Sequence, residues 1–308
     1  MKWNTLQGAA PRVIAHRGAS GYRPEHTLDG YTLAASQGGD VLEPDLTMSR
    51  DGVLFARHDL GLNRSTDIAS RREFANRARE VAGVRDWWIS DFTAAEIDSL
   101  RAIQPVTLRD QQFNGRFVVP RFSMVLDLLA TLTAQHARTL SLYPELKHPR
   151  HFTALGLDPV DALRRELEPR GWLGEASPVW IQCFDHAVLR TAKTRCGNLC
   201  FALLETTTLQ PGSRDKVLAD LATWASGVAP NKFILWDNTG ADTGFVAAAH
   251  SHGLEVHAWT FRDDHPSAPF ADSRAEMDAA FELGVDALFC DFPDTAIAAR
   301  DAFVNAMR

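Results

Sequence analysis

Glu43, Asp45 and Glu145 offer only oxygen donors, and they close strand-like runs in VLEPDL and LSLYPEL. Three carboxylates without a cysteine favour a hard divalent cation such as Mg²⁺, Ca²⁺ or Mn²⁺. His16 and His58 each follow an apolar run and are flanked by a charged neighbour, in HRG and HD. The ordinary pKa of an imidazole lies near neutrality, which suits proton transfer. Arg17 has the planar fork for bidentate phosphate binding, and Lys147, two residues beyond Glu145, adds a point charge. Such groups match the needs of phosphodiester cleavage. The diester anion repels a nucleophile, so a divalent ion with Arg and Lys offsets its charge. The departing alkoxide needs a proton, and one histidine supplies it while the other activates water or a substrate hydroxyl. Any one of these residues alone reads more readily as a surface ion pair or a packed histidine. Their gathering at strand ends gives the chemical reading its weight. Gly18 allows either a close approach of backbone to ligand or a simple turn.

The elements that must hold these groups alternate. Strand-like runs lie at 12–16, 41–46, 53–58, 140–146, 178–184, 199–204, 226–230, 254–260 and 286–292. Helical patterns fall between many of them, at 27–37, 120–135, 158–169, 185–194, 214–224, 242–252, 273–283 and 294–307. Such alternation implies a parallel sheet. One run is surplus to an eight-stranded barrel, and Asp51-Gly52 accounts for it. A parallel pair needs a crossover of about a dozen residues, so 53–59 must fold back antiparallel on 41–50. A two-residue turn there sets His58 opposite Asp45, on the face shared with Glu43. The expected fold is therefore α/β: a (β/α)8 TIM barrel carrying a β-hairpin, with active groups at the C-terminal ends of its strands.

Residues 60–118 fit no strand–helix unit and read as an insertion over that C-terminal rim, so that 1–308 forms a single barrel domain. Within it, RREFANRARE offers a basic membrane patch or a solvated helix, and its interleaved Glu residues favour the helix. Trp87-Trp88 either packs the insertion or lines a substrate surface. The 308 residues carry a net charge of −7, which argues against a nucleic-acid or anionic-membrane binder while leaving a local anion pocket open. No apolar run is long enough for a membrane span and no secretory leader is visible. The chain as it stands is expected in the cytoplasm, or in the periplasm or outside the cell if a leader has been removed. Cys183, Cys196, Cys200 and Cys290 lack zinc-site spacing. Buried thiols are the expectation, with a 196–200 disulfide conceivable only after export.

Taken in order, HRG at 16–18, PEHT at 24–27, E-x-D at 43–45, RDG at 50–52, HD at 58–59, E-x-K at 145–147, WTFR at 259–262 and GVDALFCDFPD at 284–294 resemble the glycerophosphodiester phosphodiesterase family. The likeness spans nearly the whole chain, and the insertion resembles the longer, periplasmic-type branch. It implies a TIM barrel that hydrolyses glycerophosphodiesters, such as glycerophosphocholine, to glycerol 3-phosphate and an alcohol. It implies one divalent ion, commonly Ca²⁺ or Mg²⁺ with Mn²⁺ as a third candidate, on Glu43, Asp45 and Glu145. It makes His16 and His58 the acid/base pair and gives the phosphate to Arg17 and Lys147. Glu25 is implied in metal or substrate binding, and Trp259 in walling the glycerol pocket or in core packing. The chain departs from the family in one motif, where His26 replaces the usual Asn. Two other functions fit the same barrel: a lysophospholipase D, which needs an apolar groove for an acyl chain, and a non-catalytic phosphodiester or cation binder. Both histidines and all three carboxylates are retained, which speaks against the last. The alcohol preference and oligomeric state are not legible.

Overall fold

A computed structural model describes residues 2–208 and 212–306. Strand β1 (Arg12–His16) is followed by β2 (Val41–Glu43), β3 (Asp45–Met48) and β4 (Leu54–Ala56). Next comes a short ribbon of β5 (Arg79–Val81) and β6 (Val84–Asp86). The remaining strands are β7 (Ser141–Leu142), β8 (Glu145–Leu146), β9 (Ile181–Cys183), β10 (Cys200–Leu204), β11 (Gly227–Pro230), β12 (Glu255–Phe261) and β13 (Ala287–Cys290). β1 pairs in parallel with β2 on one side and β13 on the other. Parallel pairing continues from β13 through β12, β11, β10 and β9 to β8, then to β3, while β2 pairs with β7.

Two barrel strands are broken at a proline. Pro44 separates β2 from β3, and Tyr143-Pro144 separates β7 from β8. Proline has no N–H for the ladder, so pairing lapses there and resumes. With each broken pair counted once, eight parallel strands close into a ring whose last member joins its first. This is the (β/α)8 barrel that the alternation predicts.

Strand side chains alternate between the two faces. Val13 and Ala15 face outward into the large core shared with the helices. Ile14, Val41, Tyr143, Phe201, Ala229 and Phe289 meet in a separate cluster, which is the barrel interior. Two residues beyond each of these, on the same inward face, stand His16, Glu43, Glu145, Leu203, Asn231 and Asp291. The apolar filling therefore sets both the height and the direction of the functional groups.

Two sequence expectations need correction. The hairpin loop holds three residues, not two. Ser49 N–H donates to Val53 O, and Gly52 N–H closes a turn on Ser49 O, both at 3.0 Å, with Gly52 at φ +81. A type I turn followed by a left-handed Gly moves the register by one residue. Leu46 faces Ala56, and Asp45 O takes the N–H of Arg57 at 2.7 Å, so Arg57 and not His58 stands opposite Asp45. The second correction concerns RREFANRARE. It forms a 3-10 stretch, Arg72–Arg77, that runs into β5 instead of a solvated helix. Phe74 is buried there, and Trp87 Nε1 donates to Phe74 O at 2.6 Å, so Trp87 packs the insertion. The four cysteines are free and buried. Among the described residues no helix is long and apolar enough to cross a membrane.

Candidate active site

At the C-terminal ends of the strands lies an open cleft of about 220 Å³. His16, Arg17, Glu43, His58, Glu145, Lys147 and Trp259 all face it. The sequence-predicted groups thus converge, although they come from opposite ends of the chain.

Glu43, Asp45 and Glu145 place one carboxylate oxygen each within 4.8 Å of the others, all buried. Asp45 and Glu145 stand in register across β3 and β8, and His16 with Glu43 across β1 and β2. Crowding of like charge away from water is costly. Burial raises the Glu145 carboxyl to about 8; Lys147, 2.9 Å away, opposes the rise and Asp45 adds to it. Burial, Asp45 and Glu145 raise Glu43 as well. Asp45 goes the other way despite its burial, because Arg17, Lys147, His58 and His26 hold it ionised. The donor set fits a hard divalent ion, whose charge would relieve this repulsion. Gln182 is poised beside it. Its Nε2 donates to Glu43 Oε1 at 2.9 Å, and its buried Oε1 has no hydrogen-bond partner among the described residues.

Arg17 takes the left-handed conformation at φ +59, followed by Gly18 at φ +83. A non-Gly residue held there marks a strained, functional position. The turn sends the Arg17 N–H to both Glu43 O and Glu43 Oε2 at 3.0 Å. Its guanidinium spans Glu25 Oε2 at 2.9 Å and Asp45 Oδ2 at 3.2 Å. Glu25 therefore steadies Arg17 from behind, and it does not face the cleft. Gly18 serves the turn: a Cβ there would meet the Gly30 backbone carbon at 2.8 Å. His26, also left-handed at φ +63, is buried, with Nδ1 3.0 Å from the Tyr31 hydroxyl and Nε2 3.1 Å from Asp45 Oδ2. The residue that departs from the family motif thus orients a member of the acidic trio.

Each predicted proton carrier has a carboxylate behind it. His16 Nδ1 donates to Asp291 Oδ1 at 2.6 Å, and His58 Nδ1 lies 2.6 Å from Asp59 Oδ1. Arg17 Nε donates to His16 Nε2 at 3.2 Å, so the tautomer carries its proton on Nδ1 and leaves Nε2 as an acceptor. Burial and then Arg17 pull the His16 pKa down to about 4 against the upward pull of Asp291, so the ring is neutral at pH 7. Asp291 is buried yet held below the ordinary carboxylate range by His16, Arg262 and Arg109. Asp59, likewise against its burial, is held low by His58, Arg64 and Arg57.

Trp259 forms part of the opposite wall, its Nε1 fixed on Ala229 O at 2.7 Å and its ring edge-on to Phe184 at 5.7 Å. Residue-type reasoning named neither Asp291 nor Arg109. Asp291 was visible in CDFPD as an acid closing the last strand; Arg109 gave no signal in its irregular segment.

A family model for the glycerophosphoryl diester phosphodiesterase family matches residues 16–295. A glycerophosphodiester phosphodiesterase of Arabidopsis thaliana is 30% identical, covering 93% of this chain and 85% of its own. Another, of Haemophilus influenzae, is 28% identical and covers 96% and 91%. An Oleispira antarctica phosphodiesterase, solved in complex with the product sn-glycerol-3-phosphate, superposes with a TM-score of 0.70 at 22% identity, covering 96% of this chain and 99% of that one. At that identity the likeness is one of fold.

Proposed function

The chain belongs to the glycerophosphoryl diester phosphodiesterase family, and from that premise we propose that it hydrolyses glycerophosphodiesters, such as glycerophosphocholine, to glycerol 3-phosphate and an alcohol. One observation carries the reading: three buried carboxylate oxygens within 4.8 Å of one another lie beside Arg17 and Lys147, between two carboxylate-backed histidines. Glu43, Asp45 and Glu145 would hold the metal, which we take to be Ca²⁺ or Mg²⁺, with Mn²⁺ a third candidate. When bound, it supplies a positive charge that draws the phosphoryl oxygens and stabilises charge building on them.

The chain's own groups do the rest. Arg17 and Lys147 bind the phosphate and place it against the trio. His16, neutral with Nε2 unprotonated, takes the proton of the attacking water or substrate hydroxyl, while Asp291 steadies the imidazolium that forms. His58, backed by Asp59, gives a proton to the departing alkoxide. Trp259 forms the apolar wall against which the glycerol carbons lie.

Incubation with glycerophosphocholine and each of the three metals should release glycerol 3-phosphate, and chelation should abolish it. His16→Ala and His58→Ala should each reduce turnover by about 10²–10⁴. Saturable binding of glycerophosphocholine with no product under any metal would overturn the reading and leave a binding barrel in its place. Faster turnover of lysophosphatidylcholine would move the substrate to lysophospholipids.

A further inference from the structure

Arg109 comes from the insertion, yet its side chain is only 6% exposed. Its Nη2 donates to Asp291 Oδ2 at 2.5 Å and to Asp264 Oδ1 at 3.2 Å, Nε to Asp264 Oδ2 at 2.7 Å, and Nη1 to Ser20 O at 3.1 Å. One planar fork therefore joins three segments: the loop after β1, the loop after β12 and the residue that follows β13. The other oxygen of Asp291 receives Nδ1 of His16. Arg109, Asp291 and His16 thus form a continuous line from the insertion to the group that accepts the proton.

Arg262 is a second cation on Asp291, with Nε 3.1 Å from Oδ2. It adds charge without a directed bond: its side chain is 41% exposed, and among the described residues that Nε has no hydrogen-bond partner. A contact without a hydrogen bond leaves the carboxylate's orientation unfixed, whereas a buried charge-assisted bond sets geometry. The insertion is tied down beside Arg109 as well. Buried Gln104 donates from Nε2 to Ser20 O at 3.0 Å and to Arg23 O at 3.1 Å. Ser20 O is thus shared by Gln104 and Arg109, so the two ties fix one point on the loop that also carries Arg17.

We infer that Arg109 is a positioning residue for catalysis: by occupying Asp291 Oδ2 it leaves Oδ1 for His16 and fixes the tautomer and tilt of that ring. The insertion is then a working part of the site, since it supplies the outermost support of the base. The inference rests on the phosphodiesterase reading above, with His16 as base.

The test compares Arg109→Met, Arg109→Lys and Asp264→Asn in the full chain on glycerophosphocholine with saturating metal. Arg121→Met serves as control, because it removes another insertion ion pair, that with Asp98. Loss of outer support for an active group typically costs about 10–100-fold. R109M should lose that much kcat with KM within about twofold; R109K should recover part of it, and D264N should lose several-fold. R121M should match the wild type. Wild-type kcat in R109M, or equal loss of kcat in R109M and R121M, would overturn the inference, as would a rise in KM matching the fall in kcat. If R109M does not fold, D264N carries the decision: unchanged kcat there overturns it. A wild type inactive with every metal would instead condemn the phosphodiesterase reading itself.

Discussion

Asp45 and Glu145 face each other in register on adjoining parallel strands, and the charge on one is set against the charge on the other. The site is therefore built against its own repulsion, which Lys147 and Arg17 offset and a bound cation would relieve further.

Removal of metal should expose that repulsion. Without an ion Glu145 titrates at about 8, against 4.5 for an ordinary Glu, so at pH 7 the folded protein holds a proton that the unfolded chain lacks. The stability tied to that proton is complete below pH 4.5 and lost as pH rises through 8. Thermal melts of the metal-free protein should show Glu145→Gln gaining on the wild type between pH 6 and 8.5. The same proton must leave when the ion binds, so titration calorimetry should find affinity rising with pH up to about 8. Equal pH dependence in both proteins would reject this account of the trio.

At the acid end His16 should contribute. Its pKa falls from 6.5 to about 4 on folding, so its contribution is complete above pH 6.5 and is lost as pH drops toward 4. The difference corresponds to roughly 3 kcal/mol. Urea unfolding between pH 7 and 4 should show a steeper loss in wild type than in His16→Gln, and parallel curves would mean that the ring is not held neutral.

Both Asp–His pairs can be tested by amide substitution. Asp291→Asn forces the His16 partner to accept where it now donates, and a wrong tautomer has cost about 10⁴ in kcat in the serine protease template. Loss of about 10²–10⁴ in D291N, and a comparable loss in Asp59→Asn, is the expected outcome of steady-state kinetics. Metal affinity should stay within a few-fold in both, since neither acid belongs to the trio. Full activity in D291N would remove His16 from the role of base.

His26 gives a test away from the reacting atoms. His26→Leu removes the imidazole's contacts to the Tyr31 hydroxyl and to Asp45 Oδ2, leaving the latter to Arg17, at a cost of about 1–3 kcal/mol. His26→Asn keeps one polar contact and should retain metal affinity within a few-fold, whereas H26L should lower it tenfold or more. Equal affinity in both, read by calorimetry, would show that Asp45 needs no help from this side.

Much of this was readable from residue order, and the failures have physical causes. Alternating runs and Asp51-Gly52 lead to the barrel and its hairpin because period and turn chemistry are local. The hairpin register was missed by one residue because a three-residue loop with Gly52 left-handed and a two-residue loop share the same Asp-Gly signature. The acidic trio was legible because Glu43 and Asp45, like Glu145 and Lys147, keep the two-residue spacing that leaves them on one face. Arg109 was invisible, because an irregular segment gives no period from which to infer where a side chain goes. RREFANRARE misled for a related reason: its charges suit a helix, while buried Phe74 and the Trp87 bond to its carbonyl hold it as a 3-10 turn and strand.

The ring of strands closes where the last meets the first, and His16 and Asp291, 275 residues apart, sit on either side of that joint. During synthesis the acids, the arginine and both histidines leave the ribosome long before Asp291 does. A nascent chain thus carries these groups without the acid that aligns His16, and the site is complete only once the two ends of the polypeptide have met.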